Sequence, residues 1–333
     1  MLRPFTIALA ASLGLGPLVL AVIRNRLVDV PNRRSSHTMP TPRGGGLSII
    51  GGICLAIAFA GVPVDRAVWA VVVASILLAG VGLIDDVGDL PALARLAAQF
   101  VVGGAGVTVA LAAAREDVAW AVVPLAVFFV AGYTNAFNFM DGINGIAGAQ
   151  LLVAGGAWWA AGAVTGQAPF ELAGAIGAGA AIGYLPWNFP KARFFMGDVG
   201  SYFVGMWLAG NAVVGAALDV PILVVLAPLA LFGIDTAFTL AIRVARREPW
   251  LSAHRSHVYQ RLSDRLGQTT TTIGYTAASI VIAAGTMTLL QDAAVLKAVG
   301  LVAAGLLAAV YPALPRMFGL PWLPPRSDAD RGA

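Results

Sequence analysis

The chain alternates long apolar runs with short polar clusters. Eleven runs stand out, at about 4–23, 46–61, 67–84, 93–113, 118–134, 146–163, 170–187, 199–217, 220–242, 271–290 and 294–313. About 20 residues of helix cross the hydrocarbon core of a bilayer, so each run predicts a spanning helix. The run at 46–61 is short and rich in glycine, a weak helix former. The first run could be a secretory leader, but Arg24, Asn25 and Arg26 follow it where small residues should precede a cleavage site. It is predicted to stay as an anchor. The pattern predicts an all-α polytopic membrane protein with about 11 transmembrane helices. Residues 1–320 are expected to form a single transmembrane helical domain with cytosolic active-site loops. The tail 321–333, proline-containing and then mostly polar, is expected to be disordered.

Composition agrees with this pattern. The chain is 59% hydrophobic and 11% charged, against about 25% charged for a soluble domain. The net charge of +4 is small, so the placement of charge carries more than its sum. Of the 21 lysines and arginines, all but Arg3, Arg66, Arg115 and Lys297 follow odd-numbered runs or lie in the tail. By the positive-inside rule that face is cytosolic, with the N-terminus out and the C-terminus in. The single cysteine, Cys54, rules out an intrachain disulfide or cysteine metal cluster. A lipid bilayer is the expected partner; nucleic acid is not.

Five polar clusters fall in inward segments, so they can converge on one face. The first, Asn32–Gly46, carries Arg33, Arg34, His37, Arg43 and three glycines. Basic side chains and free backbone N–H groups at a helix start suit an anionic ligand, although a membrane anchor would also explain the arginines. The second is Asp85-Asp86-Val-Gly-Asp89, whose acids oppose the dipole at a helix C-terminus and call for a cation, a base or a proton. A solvated helix end is the plainer reading. In the third, Asn135, Asn138 and Asp141 recur every three residues and would share one helical face. Gly142 and Gly145 let another group come close, and helix packing alone would account for them. The fourth, Phe194–Ser201, sets Asp198 at a helix start, where an acid can cap, with Gly197 and Gly200 leaving room for a ligand. The fifth, Arg243–Gly267, holds His254 and His257, which share a face if helical. Its strongly basic setting suits an anion better than zinc. Asp235, inside the ninth run, is either functional or a partner for a neighbouring helix.

Carboxylates with few histidines suit Mg²⁺, and Mg²⁺ beside arginines suits phosphate chemistry. The membrane setting suggests that one substrate is a lipid. At this point four motifs resemble a family. They are Asp85-Asp86, Asn135-x-x-Asn138-x-x-Asp141-Gly-x-x-Gly145, Phe195-Met-Gly-Asp198-x-Gly-Ser201 and the His254-x-x-His257 loop. In order and spacing, over roughly residues 30–270, they resemble the polyprenyl-phosphate N-acetylhexosamine-1-phosphate transferases of glycosyltransferase family 4. The superfamily also contains the murein-precursor translocase. The run His254-Arg-Ser-His-Val-Tyr-Gln is similar to the O-antigen-initiating branch. The murein branch typically has three consecutive histidines there, and here Arg255 and Ser256 separate the two.

The resemblance implies transfer of N-acetylhexosamine-1-phosphate from a UDP-N-acetylhexosamine to undecaprenyl phosphate, releasing UMP. It implies Asp198 as the main Mg²⁺ ligand, with Mn²⁺ as a substitute. Asp85 and Asp86 would act on the lipid phosphate. Asp141 would join them as a catalytic residue, and with Asn138 would help place the nucleotide or metal, with Asn135 among the substrate-binding residues. His254 and His257 would hold the uridine diphosphate part, and Arg43 and Arg95 would bind phosphate. The implied location is the bacterial inner (plasma) membrane, multi-pass, with the site on the cytosolic face and homodimerisation left open. One-step displacement and a two-step route through an aspartyl-phosphate both remain open. Two other classes are weaker. A secondary transporter predicts inverted repeats and polar residues near mid-bilayer. A CDP-alcohol phosphatidyltransferase needs an Asp-Gly-x-x-Ala-Arg run that is absent.

Overall fold

The apolar runs fold as helices because, in lipid, a helix satisfies its backbone N–H and C=O groups within one segment. The computed structural model describes residues 1–31, 39–249 and 254–321. Among them, ten helices are long and apolar enough to cross a membrane. In chain order the helices are α1 (Leu2–Ile23), α2 (Leu47–Ala58), α3 (Arg66–Gly88), α4 (Ala92–Ala114), α5 (Val122–Met140), α6 (Ile146–Thr165), α7 (Ala168–Asn188), α8 (Gly197–Ala217), α9 (Ile222–Ala245), α10 (Val258–Leu266), α11 (Gln268–Leu290) and α12 (Ala294–Met317). The protein is an all-α polytopic membrane protein. The expected readings for Arg33, Arg34, His37 and the tail beyond Pro321 lie outside the described residues.

The eleventh expected span, 46–61, is α2, and it does not cross as a full helix. Its 12 residues rise about 18 Å at 1.5 Å per residue. Gly52 lies against the α1 backbone, where an added Cβ would stand 2.9 Å from the Ala8 carbonyl oxygen. Residues 59–65 complete the crossing, because Gly61 sits beside the Arg3 guanidinium near the start of α1. The chain therefore still changes ends, and the alternation of ends expected from the sequence survives.

Helix α8 is the axis of the bundle, with nearly all its residues buried. Small residues let backbones meet around it. A Cβ on Gly205 would lie 2.8 Å from Thr134 Cα on α5, and one on Gly82 of α3 would lie 2.2 Å from the Asp198 carbonyl oxygen. Between α6 and α7, Gly155 and Gly174 do the same. Helix α12 lies at the periphery and is mostly exposed.

A short antiparallel clip, Val28–Asp29 with Thr41–Pro42, follows α1. It continues as a bridge between Arg43 and Phe195, which brings the stretch before α2 against the start of α8. The C-terminal ends of α1, α3 and α5 and the N-terminal ends of α8 and α10 thus gather at one end of the bundle. The chain begins at the other end. Pro321 lies at the gathered end, where its carbonyl accepts from the Arg261 guanidinium.

Candidate active site

Asp85 and Asp86 close the last turn of α3, and both are nearly fully buried. The backbone N–H of Leu90 donates to Asp85 Oδ1 at 2.8 Å. Arg95 Nη1 and the Tyr202 hydroxyl donate to Oδ2 at 3.2 and 2.9 Å. Asp85 is therefore held from α3, α4 and α8 at once.

Asp86 performs a task the sequence assigned elsewhere. Its Oδ1 and Oδ2 accept from the backbone N–H groups of Asp198 and Val199, at 3.1 and 3.0 Å. It caps α8 from another helix, and the residue preceding α8, Met196, makes no side-chain cap bond. The plainer reading, in which Asp198 caps its own helix, does not hold: Asp86 takes those N–H groups, and the Asp198 carboxylate accepts from Asn138 instead. Arg43 braces the cap, with Nε 3.6 Å from Asp86 Oδ1 and Nη2 donating to the Asp86 carbonyl.

Asn138 Nδ2 donates to Asp198 Oδ1 at 2.6 Å and to Ser201 Oγ at 2.9 Å. One amide thus fixes the carboxylate of the expected metal ligand. Asn138 lies in the last turn of α5, which ends at Met140; Asp141 is past the helix, with φ −81° and ψ 53°. The Asp141 carboxylate makes no hydrogen bond among the described residues. Burial, and then the charges of Asp198 and Asp86, hold it well above the usual carboxylate range. Asn135, one turn deeper, is half-buried and has no hydrogen bond among the described residues.

The fifth cluster arrives through Asp235 of α9. Asp235 accepts from His257 Nδ1 (2.9 Å) and from the backbone N–H groups of Val258 and Tyr259 (3.0 and 2.9 Å). The Tyr311 hydroxyl adds a further bond at 2.8 Å. The intramembrane acid is thus a partner for its neighbours: it caps α10 and turns the His257 ring. His254 and His257 precede α10, so a helical face does not align them; their rings stack at 5.0 Å and lie beside Phe139. Burial, then the nearby charges of His257 and Arg243, pushes His254 down to about 3, so it is neutral near pH 7. The Tyr259 hydroxyl donates to the Phe139 carbonyl at 2.9 Å and fills the space beside Gly142. The histidine loop is thereby tied to the stretch carrying Asn138 and Asp141.

Two expectations about glycine change. The N–H groups of Gly45 and Gly46 are taken by the carbonyls of Phe195 and Met196, at 2.8 and 2.9 Å. Gly46 packs on Gly200, where an added Cβ would stand 2.2 Å from Cα. The glycine run and Gly197–Gly200 meet each other rather than cradle an anion. Gly145, at φ +83°, turns the chain beside Phe189.

Sequence reasoning missed Asn188, which accepts from the Gly145 N–H at 2.7 Å and donates to the Phe194 carbonyl at 2.9 Å. It also missed Tyr202. Asn188 ends an apolar run before Phe189-Pro190, the only signal available for it; Tyr202, a single hydroxyl within an apolar span, had none.

Asp86, Asp198, Asn138 and Arg43 thus form one hydrogen-bonded group, and the neighbouring Asp85 holds Arg95 and Tyr202 beside it. His254, His257 and Asp141 flank it, joined through Tyr259 and Phe139. Comparison with known proteins agrees with the geometry. The sequence model of Glycosyl transferase family 4 matches residues 68–216, from α3 to α8. A Bacillus subtilis (strain 168) protein named "Probable undecaprenyl-phosphate N-acetylglucosaminyl 1-phosphate transferase" is 29% identical over 272 residues, covering 78% of this chain and 76% of its own. The decaprenyl-phosphate N-acetylglucosaminephosphotransferase of Mycobacterium tuberculosis (strain CDC 1551 / Oshkosh) is 28% identical over 305 residues, 77% of this chain and 74% of its own. That of Mycobacterium leprae (strain TN) is 29% identical over 294 residues, 73% of this chain and 72% of its own. The matched segment contains Asp85, Asp86, Asn138 and Asp198, and together with these relatives it supports the polyprenyl-phosphate hexosamine-1-phosphate transferase family for this chain.

Proposed function

We propose that the protein transfers N-acetylhexosamine-1-phosphate, with N-acetylglucosamine as the first choice of sugar, from its UDP derivative to undecaprenyl phosphate. The relatives' names supply the acceptor class and the sugar. The observation that carries the reading is the Asn138–Asp198 bond beside the Asp86 cap, which joins three family motifs in one cluster. The product would start O-antigen or another surface polysaccharide. The concentration of arginines at this end favours the cytosolic face of the plasma membrane.

A Mg²⁺ ion fits the donor set. Among the described residues, no group of three His, Cys, Asp or Glu side chains could hold a metal alone. Mg²⁺ usually binds through one or two carboxylates together with substrate phosphates, which suits Asp198. When bound, it would offset phosphate charge during the displacement.

In the reaction, an acceptor phosphate oxygen bonds to the β-phosphorus of the nucleotide sugar. The bond from that phosphorus to the bridging oxygen breaks, and UMP leaves with the electron pair. A phosphate monoester has a second pKa of about 6, so positioning matters more than a strong base. Both carboxylate oxygens of Asp85 and of Asp86 accept hydrogen bonds. That favours their acting as orienting groups in a one-step displacement over an aspartyl-phosphate route. Asp141, without a partner, suits uptake of the acceptor's last proton. His257, fixed through Nδ1, offers Nε2 to the UDP moiety beside Phe139.

The test is UMP release by purified protein in detergent with undecaprenyl phosphate, Mg²⁺ and a panel of UDP-sugars. Release that requires lipid and metal and disappears in Asp198→Asn supports the proposal. A folded protein that releases UMP from no sugar nucleotide overturns it, and release only from the muramoyl-pentapeptide nucleotide moves it to the murein branch.

A further inference from the structure

A groove of about 580 Å³ opens beside the active-site end, between α1 and α3. Pockets that take small organic ligands span about 300–1,000 Å³. Val22, Leu27, Leu83 and Val87 wall the groove, with Arg26, Arg43 and Asp86 at its polar side. Val22, Leu83 and Val87 are exposed, so the apolar wall opens sideways. Arg26 is exposed and has no partner among the described residues. Arg43 Nε is buried without a hydrogen bond, although Asp86 lies 3.6 Å away. The Asp86 carboxylate is turned to the start of α8, where two backbone N–H groups bind it, and it offsets part of the Arg43 charge. The groove thus combines an apolar wall with two cations that have donors to spare.

The groove does not open onto Asp198. Gly44, next to Arg43, has Leu27, Ile23 and Val199 around the position a Cβ would take. Arg43 and Asp86 are shared with the active-site group, but Asp85, Asn138 and Asp198 are not among the residues that line the groove. We infer that the groove binds an anionic phospholipid of the bilayer, its phosphate between Arg26 and Arg43 and its chains along Val22, Leu83 and Val87, as a site separate from the acceptor's. Charge complementarity selects an anionic head over a zwitterionic one. Through Arg43 the bound head would brace Asp86, and with it the first turn of α8.

Native mass spectrometry of the full chain in detergent, supplied with phosphatidylglycerol or phosphatidylcholine, tests this without a transferase assay. The expected result is preferential retention of one phosphatidylglycerol, undisturbed by inorganic phosphate. Arg26→Gln should weaken it about fivefold, the worth of one arginine near an anionic surface. Leu83→Trp should block it by filling the groove, and thermal melting checks that each variant is folded. Equal retention of the two lipids, or retention unchanged in a folded Arg26→Gln, overturns the inference. Stoichiometric displacement of the phosphatidylglycerol by undecaprenyl phosphate also overturns it, by assigning the groove to the acceptor. Binding is read directly, so absence of UMP release would leave this result standing.

Discussion

At the scale of single residues, the site rests on side chains that hold other side chains. Asn138 spans Asp198 and Ser201; under the proposed function, with Asp198 as the Mg²⁺ ligand, Asn138→Ala should lower UMP release about 10–100-fold, the usual effect of losing a group that orients such a ligand. A KM for the acceptor that stays fixed while kcat falls would show that orientation, not acceptor binding, was lost. Asp235 gathers two backbone N–H groups, an imidazole and a phenol. Removing one side of a buried charged pair costs about 3–5 kcal/mol, so Asp235→Ala, which strands its donors, and His257→Ala, which leaves the Asp235 carboxylate without its imidazole, should both lower the melting temperature strongly; an unchanged melting temperature in either would contradict this. His254 titrates near 3 in the folded chain, against about 6.5 when unfolded. The unfolded state therefore binds more protons between those values, and stability falls as pH drops from 6.5 toward 3. His254→Gln should flatten the dependence of melting temperature on pH between about 7 and 5.

The chemistry-bearing residues were legible in the sequence because a polar residue in an apolar run is conspicuous. Their partners were not. Asp198 reads as a helix cap since it stands at a helix start, and nothing local shows that Asp86, 112 positions earlier, takes that place. Asn188 and Tyr202 carry one polar group each among apolar neighbours, a pattern shared with Asn211 and Ser75, which bond only within their own helices.

At the scale of elements, apolar length predicts the spans well and fails where helices meet closely. Helix α2 falls short because its glycines serve contact with α1. Helix α4 holds a π-helical stretch, Gln99–Gly103, with no mark in the hydropathy pattern. Glycine itself divides into two kinds. Gly46 meets Gly200, whereas Gly80 on α3 has nothing within 4 Å of its Cβ position. Gly80→Ala should stabilise by about 0.5–1 kcal/mol, and Gly46→Ala should destabilise by about 1–3 kcal/mol and reduce activity by displacing the start of α8. Melting curves of the two variants, read side by side, would reject this account if they moved in the same direction.

At the scale of the whole molecule, the alternation of ends groups distant clusters. The sequence could show this because the arginines follow the same parity as the motifs. With Cys54→Ser as background, a membrane-impermeant maleimide should label Asp117→Cys in intact cells, and Asp89→Cys only after permeabilisation. The opposite pattern would place the active site outside. Asp117 pairs with Arg115 at the far end, while Asp89 is exposed beside Asp85 and Asp86.

The cap that Asp86 lends to α8 has a consequence for biogenesis. A chain threaded through the membrane with one crossing missed between α3 and α8 would leave Asp86 and the start of α8 on opposite leaflets. The orphan N–H groups of α8 would then lack their acid, and Asp198 would be parted from Asp85, and from Asn138 too where the missed crossing was α6 or α7. Such a protein would be inert rather than active on the wrong side. The same bond that shapes the site therefore works as a proofreading contact for topology, making catalysis conditional on every intervening crossing having been made.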